Sequence, residues 1–446
     1  MTHTRSNGGT GTRRHGAVIS ALVGLVLVGA GSAPAHAEST RSQQWYLDRM
    51  HAEEMWKVST GKGITVAVVD TGVDATNPDL VGRVVPGKDL APRSPGDERT
   101  DYDGHGTGMA GLIAGTGAYG GGRGAFGLAP GAEILPIRIP DIANANSMGE
   151  LATKDNPVFA RAIRYAADHQ AQVINVSQEL MRGSPELTAA VKYALGKGAL
   201  IFASVGEGGD SGRELNYPAA TPGVVGVGAV NRDIFATATS QKGAQVDLSA
   251  PGVDMVHACG TKASKTGLCK TAGTGDATAL ASASAALIWS QHPSWTNNQV
   301  LRVLLNTIGG PTDGAKRNDA IGYGVVRPRI ALQKPGNPGP AGKYPLPDFP
   351  VPEVITYPSP KASGADAQTA AAEQSGSDVP LWIGIGAAVL IGAGIAVPLA
   401  RRRKSRGAQQ PPSPAYAPSP PPHPTYAPWP ASDPNPSGPG APPGGQ

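Results

Sequence analysis

Ile64-Thr65-Val66-Ala67-Val68-Val69-Asp70-Thr71-Gly72 is the stretch that decides the fold. Ile64–Val69 is β-branched and apolar without a charge. A continuous run, rather than an alternating one, is a strand buried on both faces, as in a parallel sheet. Val173–Val176 (with one Asn), Leu200–Ala203 and Val224–Val230 (with interspersed Gly and Ala) have the same character. Helical patterns lie between them, over Val158–Gln170 and Glu186–Leu195. This alternation predicts a doubly wound α/β fold, a mostly parallel sheet with helices on both faces. Sites in such folds lie beyond the carboxyl ends of the strands. The residues that end each run are therefore the candidates for chemistry.

Asp70 ends the first run. Alone it means little, because turns favour Asp. His105 lies in Asp103-Gly104-His105-Gly106-Thr107-Gly108-Met109-Ala110-Gly111. The small and apolar residues after it suit a helix packed close against another element. A lone His at a helix start is ordinary too. The two motifs in this order, 35 residues apart, are far more specific than either one.

On these residues the chain resembles the subtilisin-type (S8) serine proteases. Val66-Ala67-Val68-Val69-Asp70-Thr71-Gly72-Val73 is similar to that family's Asp block, and Gly104-His105-Gly106-Thr107 to its His block. Tyr217-Pro218-Ala219-Ala220, Ser249-Ala250-Pro251-Gly252 and Gly322-Tyr323-Gly324-Val325-Val326 resemble its later strands, loops and closing segment. The likeness covers Trp45–Leu332. It is nearest to the mycosins, the membrane-anchored subtilases of actinobacterial type VII secretion systems. The resemblance implies a subtilisin-like sheet and a serine endopeptidase triad. In that triad a Ser attacks, a His moves the proton, and an Asp fixes and stabilises the imidazole. Asp70 and His105 would fill the last two roles.

Three positions depart from the pattern. The family's third block reads Gly-Thr-Ser-x-Ala-x-Pro and opens a helix. Here it is Gly273-Thr274-Gly275-Asp276-Ala277-Thr278-Ala279, so Gly275 stands where the nucleophile should be. Ser282 and Ser284 are two or more turns further along, and at 1.5 Å per residue Ser282 is roughly 10 Å away. The oxyanion Asn of the family's Ala-Gly-Asn becomes Glu207 in Val205-Gly206-Glu207. An ionised carboxylate cannot donate a hydrogen bond to an oxyanion. The substrate-binding Ser-Leu-Gly becomes Ser177-Gln178-Glu179, which puts an acidic side chain where a Gly lets substrate approach. Asp276 reads as an acid favoured by the helix dipole. The expectation is a degenerate site and a pseudoprotease with a scaffold role. One rival has the cleft holding a peptide, with Glu179 and Glu207 favouring basic ones. The other is the family's default, an active endopeptidase.

The remaining sequence gives the layout. In 446 residues there are 61 glycines and 42 prolines, near the fraction that marks low-complexity sequence. Part of the chain is therefore expected to build no core. Residues 1–37 read as a signal peptide: Arg5, Arg13 and Arg14, then a short apolar stretch, then Ala35-His36-Ala37. Residues 38–333 form the folded, extracytoplasmic domain. Residues 334–379 are a Pro/Ala/Ser-rich linker. Residues 380–400 hold twenty uncharged residues, Leu381–Ala400, long enough to span a hydrocarbon core. Arg401, Arg402, Arg403 and Lys404 follow, which puts residues 401–446 in the cytoplasm. The expected localisation is a single-pass type I cell-membrane protein. Its Pro-rich tail favours polyproline II and offers a docking segment for a cytoplasmic partner. A net charge of +4 is too mild and too evenly spread to argue for nucleic acid. Two cysteines exclude a Cys-rich scaffold and a four-thiolate zinc site. Cys259 and Cys269, in an exported chain, are expected to form a disulfide. No cofactor is implied, and no metal cluster is legible. The partners implied by the resemblance are type VII secretion membrane components.

Overall fold

Val66 and Val68 pack into one hydrophobic cluster, and Ala67 and Val69 into another. Successive side chains of a strand point to opposite faces, so both faces of this strand are core. The computed structural model describes residues 39–141, 157–209 and 215–347, with the isolated Thr4. All of these belong to the first of two compact units, Met1–Pro360; the second, Lys361–Gln446, lies outside the described residues.

The strands are β1 (Thr65–Asp70), β2 (Lys88–Asp89), β3 (Glu133–Arg138), β4 (Val173–Val176), β5 (Leu200–Ser204), β6 (Val225–Val230), β7 (Leu248–Pro251), β8 (Met255–Ala258) and β9 (Leu268–Thr271). The helices are α1 (Thr40–Gln43), α2 (Trp45–Met50), α3 (Ala52–Trp56), α4 (His105–Ala114), α5 (Tyr119–Gly122), α6 (Pro157–Asp168), α7 (Pro185–Gly196), α8 (Thr274–Gln291), α9 (Asn297–Asn306) and α10 (Pro328–Gln333). Seven strands form one sheet in the order β2-β3-β1-β4-β5-β6-β7, every pairing parallel. β8 and β9 make a separate antiparallel hairpin.

One face of the sheet is covered by α6 and α7. The other carries α2, α4, α8, α9 and α10. Local sequence starts these helices. Ser184 accepts from the Leu187 N–H, with Pro185 in the first turn of α7. Thr296 and Gln299 form a capping box at α9. α8 is buried almost all round, so it runs through the core.

The sequence reading missed β3. Pro136 and the charged ends Glu133 and Arg138 break its apolar run, yet it pairs with β1 along six positions. The expected linker also needs correcting at its start. Residues 334–347 lie on the domain. Arg302 donates to the carbonyls of Pro338 (2.6 Å), Pro340 (3.1 Å) and Lys343. Asn298 donates to Ala341, and Tyr344 to Gly223. Proline carries no backbone N–H, so few carbonyls of this stretch are used internally (Pro340 accepts from the Lys343 N–H at 3.5 Å), which leaves them for these donors.

Among the described residues no helix is long and apolar enough to cross a membrane. The segments read as signal peptide (1–37), membrane span (380–400) and tail (401–446) lie outside them, as does the linker beyond Pro347.

Candidate active site

Asp70 ends β1, Ser177–Glu179 follow β4, and Glu207 follows β5, all at the carboxyl edge of the sheet. α4 begins at His105 and crosses close to β1. A Cβ on Gly106 would lie 2.1 Å from the Gly72 carbonyl oxygen, so only glycine permits that approach. The result brings His105 Nδ1 to 2.7 Å from Asp70 Oδ1. Asp70 is fully buried, and the His105 side chain is 30% exposed. Asp70 Oδ1 also accepts from the Thr71 N–H at 2.8 Å, while Oδ2 is buried without a hydrogen-bond partner. Burial opposes protonation of His105, but the Asp70 carboxylate outweighs it and raises the imidazole to about 10.

With Nδ1 fixed by Asp70, Nε2 faces the start of α8. A Cβ on Gly275 would lie 3.5 Å from that nitrogen. Gly275 therefore occupies the place from which a hydroxyl would reach the imidazole, and it brings none. Ser177 Oγ donates to the Gly275 carbonyl at 3.0 Å, and Asn175 Nδ2 donates to Ser177 Oγ. Ser282 and Ser284 are fully buried and bonded elsewhere, to Asn175 Oδ1 and the Leu280 carbonyl.

Glu207 is not left facing solvent alone. Its Oε1 accepts from the Thr274 N–H at 2.5 Å. The carboxylate thus sits on the N-terminus of α8, where anions are favoured, beside the residue expected to be the nucleophile. Glu179 folds over Gly206: its Oε2 would lie 3.1 Å from a Cβ there, and Asn216 Nδ2 only 1.8 Å. Burial raises Glu179 to about 7. The Glu207 charge adds to the rise; His105 and the Ser204 and Thr274 hydroxyls oppose it. The segments after β4 and β5 thus each bring a carboxylate beside Thr274 at the start of α8.

The family model for the subtilases matches residues 61–324. The chain belongs to the subtilase family. It is 36% identical over 211 residues to the major intracellular serine protease of Bacillus subtilis, covering 46% of this chain and 63% of that protein. The chain spans slightly under two thirds of the length of this and other curated relatives. The crystal structure of MycP1 from Mycobacterium smegmatis superposes with a TM-score of 0.57 at 28% identity, over 69% of this chain and 89% of that one. A chain in the structure of an intact ESX-5 inner membrane complex gives 0.58 and 28%, over 74% and 86%. This subtilase is thus related to the mycosins of type VII secretion.

The structure also gives Gln178 a place that the sequence reading did not assign, and it locates Asp276 and the two cysteines. Gln178 Nε2 donates to Asp70 Oδ1 at 3.3 Å and lies 3.3 Å from His105 Nδ1; its place in a family motif was the available signal. Asp276 lies in the first turn of α8, where the dipole favours an acid, and it is buried. It is 3% exposed and bonded to Thr271. Cys259 and Cys269 are joined in a disulfide that closes the β8–β9 hairpin. Among the described residues no group of three or more His, Cys, Asp or Glu is placed to hold a metal ion.

Proposed function

We propose that this subtilase is a non-proteolytic component of a type VII secretion membrane complex, with its folded domain outside the membrane. The observation that carries the reading is the pairing of Gly275 with Glu207. The first supplies no nucleophile to His105. The second sets a carboxylate on the helix N-terminus where a developing oxyanion would need donors. Loss of a nucleophile costs roughly 10⁶ in turnover, and loss of an oxyanion donor roughly 10²–10³. The losses are not additive, but a chain lacking both has no route through acyl transfer.

Similarity to a chain of the ESX-5 inner membrane complex supports the assembly half of the proposal. The residue pattern 1–37, 380–400 and 401–446 supports a type I anchor with a cytoplasmic Pro-rich tail. The domain then acts by occupying a place in the complex, a role that needs only its fold.

The test uses the full chain. A serine-directed phosphonate should leave it unlabelled, and peptide substrates should remain uncut. The same chain should co-purify with membrane components of the secretion system, and Asp70→Asn or His105→Ala should leave that association intact. Labelling that disappears in His105→Ala would return the chain to the active endopeptidases. Failure to co-purify would sink the assembly role.

A further inference from the structure

Below the cleft, three side chains with no part in the triad comparison meet in the interior. His257 of β8 is 1% exposed and Asp276 of α8 is 3% exposed. Thr271, the last residue of β9, stands between them. His257 Nδ1 lies 2.6 Å from the Ala258 carbonyl oxygen, and Nε2 lies 2.7 Å from Thr271 Oγ1. Thr271 Oγ1 lies 2.7 and 2.9 Å from the two carboxyl oxygens of Asp276.

These distances allow the hydrogens to be counted. A carbonyl only accepts, so Nδ1 carries a hydrogen. If the ring is neutral, Nε2 is a bare acceptor and takes the single hydroxyl hydrogen of Thr271. Asp276 can then bond to Oγ1 only by donating, as a protonated acid. If Asp276 is ionised, it takes the Thr271 hydrogen instead, and Nε2 must be protonated. Without an additional proton, one contact sets two buried acceptors against each other, which costs desolvation and returns no bond.

We propose that His257, Thr271 and Asp276 form a buried proton-holding site, in which one additional proton, carried by Asp276, ties the β8–β9 hairpin to the first turn of α8. Keeping both groups neutral avoids placing opposite charges 3.9 Å apart in the interior, where desolvation offsets their attraction. Burial acts in the same sense on both partners. It raises Asp276 to about 7, against the Thr271 bond and the His105 charge and with the Glu207 charge. It lowers His257 to about 4, against the Ala258 bond and with His105. The titratable groups facing the trio are His105 from α4, Glu207 from the segment after β5, and Tyr46 from α2, whose phenol is raised by burial and further by an Asp276 charge. Gly108 of α4 packs against the ring; a Cβ there would lie 2.5 Å from His257 Cε1. Release of the proton sets a negative charge immediately after Gly275, in the field of His105. The trio thereby makes the floor of the cleft responsive to pH near neutrality.

Asp276→Asn supplies an amide donor in the same place without a titrating group. The full chain and this variant are compared by urea unfolding from pH 4 to pH 7. The folded state keeps the Asp276 proton up to about pH 7, and the unfolded chain releases it above about 3.9. Stability from this group is therefore complete below about pH 4 and is lost as pH rises through 7. The folding equilibrium of the wild type should fall roughly 300-fold relative to Asp276→Asn over that interval. A flat ratio, meaning an ordinary carboxylate, overturns the proposal. So does a rising ratio, meaning an ion pair with protonated His257. Nitrogen NMR of His257 in the unaltered chain at pH 5.5 gives a second measurement that needs no variant at Asp276. A neutral ring with hydrogen on Nδ1 is expected, and an imidazolium overturns it.

Discussion

The absent side chain of Gly275 and the imidazole of His105 face each other: a Cβ on the glycine would stand 3.5 Å from Nε2. Gly275→Ser should therefore gain slow labelling by a serine-directed phosphonate. Gly275→Ser with Glu207→Asn should label roughly 10²–10³ faster, because the second change replaces an acceptor with a donor at the oxyanion position. Peptide hydrolysis should lag behind labelling until Glu179→Gly opens the groove. Equal labelling of the single and double variants would show that Glu207 does not occupy that position.

Glu207 has a structural duty as well. Its bond to the Thr274 N–H satisfies one of the unpaired donors at the start of α8. Glu207→Ala should cost about 1 kcal/mol of stability, within the ordinary range for a lost cap. Urea unfolding at pH 7 measures it, and a stability gain would contradict the cap.

Asp70 and His105 form an ion pair, with Gly275 on the other side of the imidazole. His105→Ala leaves the buried Asp70 carboxylate without its cation. The cost should be about 2–3 kcal/mol, below the 3–5 kcal/mol of a fully buried pair, because the ring is 30% exposed. Its pH dependence has a definite sign. The folded imidazole is raised to about 10, so its contribution is complete below about pH 6.5 and fades as pH rises toward 10. The stability gap between wild type and His105→Ala should therefore shrink between pH 6.5 and 10, and unfolding curves at three pH values read it.

Arg302 holds the strap at 334–347 through three carbonyls. Arg302→Ala should open the Lys343–Tyr344 bond to trypsin while the sheet stays folded; the bond after Lys334 leads into Pro335, which trypsin does not cut. Circular dichroism checks the fold and mass spectrometry the cut sites. Unchanged resistance at Lys343 would mean that Tyr344 and the buried Leu346 suffice to hold the strap.

The sheet was legible because its central strands are uninterrupted apolar runs, and Thr65–Asp70 and Val173–Val176 fall within a residue of where the pattern puts them. β3 was hidden by Pro136, whose side chain says turn while its neighbours pair on both sides. Asp70, His105 and Gly275 could be read because each sits in a block with its own local grammar of glycines. His257 and Thr271 could not. They lie in short hairpin strands, fourteen residues apart, and nothing local ties either to Asp276; only the disulfide-closed hairpin brings them together. Lys334 looked like the start of a linker because proline-rich sequence buries little of itself. What holds it is the donor set on α9, far away in the chain.

The strap also determines how the domain would carry load. Force applied to the chain beyond Pro347 passes through Leu346 and Tyr344 into the Gly223 turn, and through Arg302 into the capped helix α9. It reaches the molecule at the Gly223 turn, which packs against Val191 and Leu195 of α7, and at α9, rather than by peeling α10 from its end. A domain built to stay in register with whatever pulls on it needs this kind of fixed shackle, and Arg302 is its pin.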